Sequence, residues 1–131
     1  MRAVSDSSPI SGLAAIGRLY LLNSQFSSVA IPTAVAQELN AHPDPAVAGI
    51  IQTAIQEKRI EILQPHPSRL LGVLLPQLHR GEAEAIALAV ELKADFVLID
   101  EREGRRLAVQ AELSVTGVLG VLLRAKFKGC H

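Results

Sequence analysis

The chain has 131 residues, of which 49% are hydrophobic and only 3% aromatic, and its 13 lysines and arginines balance 13 aspartates and glutamates. This length fits a single domain spanning residues 1–131, and the apolar content is sufficient for a sizeable core. The zero net charge excludes a basic surface spread over the whole molecule, and the scarcity of aromatics argues against a sheet that stacks nucleic-acid bases.

Cysteine usage and the hydropathy pattern define the compartment that we expect. Cys130 is the only cysteine, which excludes an intrachain disulfide and a cysteine-based metal site. The opening segment, residues 1–9, lacks the apolar core of a secretory signal, and no apolar run approaches the roughly 20 residues needed to span a bilayer. We therefore expect a cytoplasmic protein with no membrane contact.

Strand-like and helix-like segments alternate along the chain. We predict, in chain order, a strand at 2–5, a helix at 10–22, a strand at 28–32, helices at 33–40 and 46–58, a strand at 59–63, helices at 68–78 and 82–93, a strand at 95–99, a helix at 103–112, a strand at 113–116 and a helix at 117–129. This alternation, with buried β-branched strands, predicts an α/β fold. We expect a three-layer α/β/α sandwich with a central parallel sheet.

Carboxylates follow two of the predicted strands. Asp6 comes directly after the first strand, and Asp100 directly after the strand at 95–99. In an open parallel sheet, ligands bind at the carboxyl ends of the strands, near the point where the strand order reverses. If these two strands are neighbours, the carboxylates face each other, and a hard divalent cation would relieve the repulsion that raises their pKa values.

Two further carboxylates are candidates for the same edge. Glu38 lies near the end of the helix after the second strand, and Glu82 begins the long helix at 82–93. A set of oxygen ligands suits Mg²⁺ or Mn²⁺, and such an ion can lower the pKa of bound water and stabilise charge on a phosphate under attack. Asp6, Glu38, Glu82 and Asp100 are therefore candidate metal-binding and catalytic residues.

Four ordered pieces of the chain resemble a PIN domain. They are VSD followed by SSPI (4–10), IPTAVAQEL (31–39), RGEAEAIALAVELKADFVLID (80–100) and VTGVLGVLLRAKFKG (115–129), and the resemblance extends in order over nearly the whole chain. The sequence is most similar to the compact prokaryotic branch related to VapC-type toxins. The resemblance implies a PIN-like fold and an endoribonuclease that depends on Mg²⁺ or Mn²⁺ and hydrolyses RNA. It also implies a toxin-like role beside a small antitoxin protein, and a homodimer.

The resemblance assigns roles to individual acids. The first two acids of the family fall on Asp6 and Glu38, and the fourth falls on Asp100. The third falls on Glu82, which precedes Asp100 by 18 residues, the interval of the toxin branch. Glu84 competes with Glu82 for this third role. The family usually has Asp there, and the longer Glu side chain changes the reach of the ligand.

Residues around these acids complete the implied site. Ser8 stands where a small polar residue commonly supports the metal. Many relatives have a further Asp just after the fourth acid, whereas here Glu101 and Glu103 are the only candidates for a supporting carboxylate. This departure bears on whether one or two metal ions are held.

Structural roles are the alternative for several of these residues. Asp6 could cap the first helix, because an aspartate followed by two serines and a proline is a good helix start. Either Glu82 or Glu84 could serve only as a first-turn partner of the helix dipole. Arg105 and Arg106 could hold RNA phosphates, or they could pair with acidic side chains at helical spacing.

One other function remains open, and two further classes do not fit the sequence. A PIN-like module that binds nucleic acid or protein, and that is catalytically weak or inactive, is the main alternative. A haloacid-dehalogenase phosphatase needs a second aspartate two residues after the first, and Ser8 stands there instead. A dinucleotide-binding domain is excluded because no GxGxxG turn follows the first strand.

Overall fold

Within residues 1–127, which are those that the computed structural model describes, five parallel strands form one sheet. They are β1 (Arg2–Ser5), β2 (Ser28–Ile31), β3 (Glu61–Ile62), β4 (Phe96–Leu98) and β5 (Val115–Thr116). Their order across the sheet is β3-β2-β1-β4-β5, and every neighbouring pair is parallel. The predicted parallel sheet is confirmed. The strand order reverses between β1 and β4, because β2 and β3 extend the sheet on one side of β1 and β4 and β5 extend it on the other.

Eight helices accompany the strands in the same described part of the chain. They are α1 (Ser7–Ala15), α2 (Tyr20–Gln25), α3 (Thr33–Asn40), α4 (Pro45–Gln56), α5 (Arg69–Leu74), α6 (Arg80–Leu92), α7 (Arg102–Gln110) and α8 (Val118–Phe127). Side-chain caps fix several of the helix starts. Asp44 accepts from the amide of Ala46 at 2.9 Å, and Ser68 accepts from the amide of Leu71 at 3.1 Å.

Alternate strand residues face opposite sides of the sheet and divide the core in two. One half packs against α1, α2, α3, α4 and α8, and the other packs against α5, α6 and α7. The strand residues of the first half are Ala3, Val29, Ile31 and Leu98, and those of the second half are Val4, Ala30, Val97 and Ile99. None of these is more than 5% exposed, so helices cover both faces. The expected three-layer α/β/α sandwich is confirmed.

The single helix predicted over 10–22 is wrong. The structure has α1 and α2 instead, separated at Gly17, whose φ is +70°. The amide of Gly17 donates to Ala14 O at 3.1 Å and the amide of Arg18 donates to Leu13 O at 2.8 Å, which is a Schellman motif. Apolar periodicity continues across this break, so the sequence pattern alone does not reveal it.

Other elements differ from the prediction at their ends. β3 covers two residues rather than 59–63, and α5 ends at Leu74 rather than at 78. The long helix begins at Arg80, two residues before the predicted start. The last helix is described as far as Phe127, so the predicted residues 128–129 lie outside the described part. No helix in residues 1–127 is long and apolar enough to cross a bilayer.

Candidate active site

Four carboxylates reach the carboxyl edge of the sheet from different elements. Asp6 follows β1, and its amide donates to Leu98 O of β4 at 3.0 Å. Asp100 follows β4 two residues beyond its end, Glu38 comes from α3 and Glu82 comes from the first turn of α6. Because β1 and β4 are neighbours, Asp6 and Asp100 lie on adjacent strand ends at the point of strand reversal, where α/β sheets form their ligand sites.

The four acids differ in burial. Asp6 and Glu82 are each only 5% exposed, whereas Glu38 and Asp100 are exposed. Two acids therefore lie inside the edge of the sheet, and two face outward from it.

Burial dominates the electrostatics of Asp6. It raises the pKa of Asp6 from the usual 3.8 to about 6, and the charges of Glu38 and Asp100 add to the rise. Hydrogen bonds from Ser7 oppose it in part. Asp6 occupies the N-cap position of α1, but its side chain makes no capping hydrogen bond. The helix start therefore does not account for the carboxylate.

Glu82 carries both a structural and an unexplained oxygen. Oε1 accepts from the amide of His79 at 3.2 Å as part of a capping box at the start of α6. Oε2 is buried and accepts no hydrogen bond from residues 1–127, although the protonated side chain can donate to the neighbouring Glu101. Burial raises the pKa of Glu82 from 4.5 to about 7. Glu101 adds to the rise because it can accept a hydrogen bond from protonated Glu82, and the negative charge of Asp6 adds to it as well.

Two serines of α1 hold the exposed acids. Ser7 Oγ donates to Glu38 Oε2 at 2.9 Å, and Ser8 Oγ donates to Asp100 Oδ2 at 3.1 Å. The second oxygen of Asp100, Oδ1, accepts from the amide of Val118 at 3.0 Å, at the start of α8. Ser8 therefore contacts Asp100 directly, and Ser7, to which the sequence assigned no role, supports Glu38 in the same way.

Two glycines leave room for the exposed carboxylates. A Cβ atom built at Gly81 would collide with Glu38 Oε1, and one at Gly117 would collide with Asp100 Oδ1. Any side chain at either position would force the carboxylate to move. Both glycines lie in the segments that resemble a PIN domain, but nothing in the sequence pattern gives them this role.

Glu84 points away from the cluster. It is 2% exposed, and its Oε2 atom pairs with Arg80 Nη1 at 3.0 Å. Glu82, by contrast, has no cationic partner in the described part of the chain, and the charge of Asp6 is among the causes that raise its pKa. Of the two candidates for the third acid, the structure therefore brings only Glu82 to the cluster.

Glu101 and Glu103 have partners within α7. Glu101 caps the helix by accepting from the amide of Gly104 at 3.1 Å, and this bond lowers the pKa of Glu101. Glu103 forms an ion pair with Arg106, which lowers the pKa of Glu103. Both glutamates thus have a structural role, although Glu101 also lies next to Glu82.

The arginines of α7 lie beside Asp100. Arg105 Nη1 donates to Ile99 O at 2.9 Å, and Arg106 Nε donates to Glu103 Oε1 at 3.0 Å. A cavity of about 500 Å³ opens next to them, lined by Asp100, Arg102, Arg105, Arg106, Val109 and Gln110. The guanidinium groups therefore border the acidic cluster on its β4 side.

The donor set suits a hard cation, although the site is not closed around one. In the part of the chain described, no three His, Cys, Asp or Glu side chains are near enough to hold a metal as they stand. In this arrangement Glu38 and Asp100 are hydrogen-bonded to serines. The unpaired Oε2 of Glu82 and the raised pKa values of Asp6 and Glu82 are the features that a divalent cation with oxygen ligands would relieve.

Comparison with protein families and curated proteins gave one match. The family model described as DUF3368: PIN domain matches residues 2–131. A comparison with curated proteins found no match.

Three archaeal proteins of known structure share the fold. The chain is similar to a PilT N-terminus domain protein, SSO1118, from Sulfolobus solfataricus P2, at 17% identity over 95% of this chain and 93% of that chain, with a TM-score of 0.57. It is also similar to PAE2754 from Pyrobaculum aerophilum, at 17% identity over 95% of this chain and 94% of that chain, with a TM-score of 0.63. A domain of a functionally unknown protein from Methanocaldococcus jannaschii DSM 2661 is 17% identical over 88% of this chain and 89% of that chain, with a TM-score of 0.55. These likenesses show a shared fold.

Proposed function

This chain belongs to the PIN domain family, whose members are generally nucleases, and we propose that it is a metal-dependent endoribonuclease that hydrolyses RNA phosphodiester bonds. One observation carries the proposal. Asp6 and Glu82 are buried together at the reversal point of the sheet, and their pKa values are raised to about 6 and about 7. A buried carboxyl avoids the cost of an uncompensated charge either by staying protonated or by binding a cation, and an edge that holds two such groups with two further acids supports a cation site.

PIN domains typically use divalent metal ions. In this chain Asp6, Glu38, Glu82 and Asp100 would hold Mg²⁺ or Mn²⁺. When bound, such an ion lowers the pKa of a water ligand and stabilises the charge that develops on a phosphate under attack. Ser7 and Ser8 orient Glu38 and Asp100, the two acids that face the substrate side.

The arginines of α7 would bind the RNA backbone. Arg102, Arg105 and Arg106 line the cavity next to Asp100, and guanidinium groups pair with phosphate oxygens in a bidentate geometry. Arg105 is anchored on Ile99 O, which fixes its direction. A phosphate held there would lie adjacent to the acids.

The hydroxyls nearest the acids do not serve as covalent nucleophiles. Ser7 and Ser8 donate their protons to Glu38 and Asp100, an arrangement that supports the carboxylates rather than attack on phosphorus. Water is therefore the proposed nucleophile. Hydrolysis by water should leave products with a 5′-phosphate and a 3′-hydroxyl.

Cleavage of a mixed RNA panel tests the proposal. The purified protein is assayed in Mn²⁺, in Mg²⁺ and in EDTA, beside Asp100→Asn and the control Glu112→Gln, an exposed carboxylate that precedes β5 and so lies at the opposite edge of the sheet. We expect metal-dependent cutting that Asp100→Asn abolishes and Glu112→Gln retains. Cutting that persists in EDTA, or that Asp100→Asn retains, would contradict the assignment.

A module that binds nucleic acid or protein without cutting is the second candidate. The observation in its favour is the arrangement of the acids: in residues 1–127 no three of them stand close enough for a metal, and two are engaged by serines. A folded protein that binds RNA in EDTA, yet neither cuts it nor binds Mn²⁺, would support this candidate over the nuclease.

The biological setting follows from the resemblance to VapC-type toxins. We propose a toxin-like component of a toxin–antitoxin pair, which works as a homodimer in the cytoplasm and is inhibited by a small antitoxin. Co-purification of the chain with the product of an adjacent small reading frame, followed by loss of RNA cleavage in that complex, tests this setting.

A further inference from the structure

A second cavity lies at the carboxyl edge, on the side of β2 and β3. Its volume is about 370 Å³, within the range of small-molecule sites. Polar groups reach it from α3, from the segment after β3 and from α6. It is lined by Thr33, Ala34, Gln37, Gln64, Arg80 and Glu84, none of which belongs to the acidic cluster.

Glu84 gives this cavity a buried carboxylate with an unused oxygen. The residue is 2% exposed, and Oε2 is paired with Arg80 at 3.0 Å, while Oε1 is buried and has no hydrogen-bond partner. A buried acceptor that is left unsatisfied costs free energy, which a donor from a ligand would recover. The side chain of Arg80 is 67% exposed, so its movement can open the carboxylate to a ligand.

The pairing of a carboxylate with a guanidinium selects the ligand chemistry. A carboxylate needs donors and a guanidinium needs acceptors, so the ligand should present both on one edge. Among the RNA bases only guanine has two adjacent donors, N1–H and the N2 amino group, on the same edge as an acceptor, O6. Adenine and cytosine offer the carboxylate only one amino group, beside a ring-nitrogen acceptor, and uracil offers one donor between two acceptors.

We propose that this cavity binds a guanine base of the RNA substrate. The N1–H and N2 amino groups donate to Glu84, and Arg80 donates to O6, an atom of guanine that arginine commonly contacts. The amides of Gln37 and Gln64 face the remaining polar edge. The inference rests on the proposed function only in taking RNA as the ligand.

The position of the cavity relates the base to the site of cutting. Gln37 precedes Glu38 in α3, and Gly81 lets the Glu38 carboxylate approach α6. The arginine cavity beside Asp100 lies across β1, on the β4 side. An RNA strand would therefore cross the edge of the sheet with a guanine on one side of the acids and a phosphate on the other.

Nucleotide binding in EDTA tests the cavity independently of catalysis. Guanosine, inosine and adenosine monophosphates are titrated into ¹⁵N-labelled protein, and the side-chain amides of Gln37 and Gln64 are followed by NMR. We expect guanosine monophosphate to shift both, inosine monophosphate to bind more weakly because it lacks the N2 amino group, and adenosine monophosphate to bind at least about tenfold more weakly. Equal shifts with adenosine monophosphate, or none with any nucleotide, would overturn the proposal.

Variants separate recognition from folding. Glu84→Gln should lose the response to guanosine monophosphate while its NMR spectrum keeps the dispersion of a folded protein. Glu112→Gln should keep both the response and the dispersion. If Glu84→Gln does not fold, Gln64→Ala, a change at an exposed residue, decides the matter: it should weaken guanosine binding, and unchanged affinity would count against the proposal.

A randomised single-stranded RNA pool, cut in Mn²⁺, distinguishes failure of this inference from failure of the nuclease. The wild type should enrich guanine at one fixed position relative to the cut, and Glu84→Gln should cut without that enrichment. Cutting with no guanine enrichment and no guanosine binding refutes the base site and leaves the nuclease intact. Guanosine-selective binding without cutting refutes the nuclease and upholds the base site.

Discussion

Ser8 Oγ donates to Asp100 Oδ2 at 3.1 Å, which joins the first turn of α1 to the end of β4. The other oxygen of Asp100 accepts from the amide of Val118 at 3.0 Å, at the start of α8. Asp100 thus bridges three elements, and its carboxylate is held in one direction before any ligand arrives. Such pre-organisation is what a ligand site requires of its exposed acid.

Gly117→Ala should disable the site with little effect on the fold. The new Cβ atom would collide with Asp100 Oδ1 and lie 3.2 Å from Arg105 Nη1, so the carboxylate must rotate away. We expect RNA cleavage to fall by at least about tenfold, since a displacement of about 1 Å can cost a hundredfold in rate. Cleavage assays with a thermal melt for each variant provide the measurement.

Gly49→Ala is the matched control for that substitution. Gly49 lies inside α4, and nothing is within 4 Å of a Cβ atom built there. Alanine should stabilise the helix by roughly 0.5–1 kcal/mol and leave cleavage unchanged. Equal activity in Gly117→Ala and Gly49→Ala would show that the position of Asp100 is irrelevant.

The buried acids predict an unusual dependence of stability on pH in EDTA. The pKa of Asp6 rises from 3.8 to about 6 on folding, and that of Glu82 rises from 4.5 to about 7. The folded state therefore binds more protons than the unfolded state between these values, and stability falls as pH rises. Urea unfolding should show this loss from about pH 5.5 to about pH 8, above the range in which the lowered pKa values of Glu91, Glu101 and Glu103 act in the opposite direction. A stability that rises across this window would contradict the raised pKa values.

Asp6→Asn should remove much of that loss. The rise in the pKa of Asp6 from 3.8 to about 6 corresponds to roughly 3 kcal/mol at most, because a tenfold change in proton affinity is worth about 1.4 kcal/mol. We expect the variant to be more stable than the wild type at pH 8 in EDTA, and little different at pH 4. Glu112→Gln, which replaces an exposed carboxylate, should follow the wild-type curve.

The arginine cavity predicts a salt-dependent interaction with RNA. Arg102→Gln should weaken binding of single-stranded RNA in EDTA and reduce the slope of log K against log salt concentration by about one for each phosphate that the side chain no longer binds. Fluorescence anisotropy at several salt concentrations measures both quantities. Lys58→Gln, at the end of α4 and before β3, changes charge at the opposite edge and should leave the slope unchanged. If the salt dependence of binding falls equally in both variants, RNA binds through the overall charge of the protein and not at the arginine cavity.

The parts of the fold that depend on local patterns could be predicted from the sequence. The segment 96–99, which contains β4, is continuously apolar because helices cover both of its faces, and the carboxylate that directly follows this segment indicates the site edge. The break at Gly17 could not be predicted in this way, because a glycine in the left-handed conformation ends a helix without interrupting the apolar periodicity. The spacing of apolar residues shows which face of a segment is buried, but it does not show whether that segment is one helix or two.

The contents of the site could be predicted only in part. Asp6 and Asp100 could be identified because the carboxyl ends of parallel strands all lie at the same edge of the sheet. The serine that holds Glu38, the space at Gly81 and the different orientations of Glu82 and Glu84 depend on how α1, α3 and α6 pack together. Such contacts join residues far apart in sequence, and one sequence carries no local signal for them.

Mn²⁺ binding tests the central claim most directly. Electron paramagnetic resonance measures free Mn²⁺ during titration of the wild type, Asp6→Asn and Glu112→Gln. If the buried acids form a cation site, the wild type and Glu112→Gln should bind Mn²⁺ alike, and Asp6→Asn should bind it at least about tenfold more weakly. A folded wild type that binds no Mn²⁺, or an Asp6→Asn variant that binds it as tightly as the wild type, would contradict a cation site at these acids.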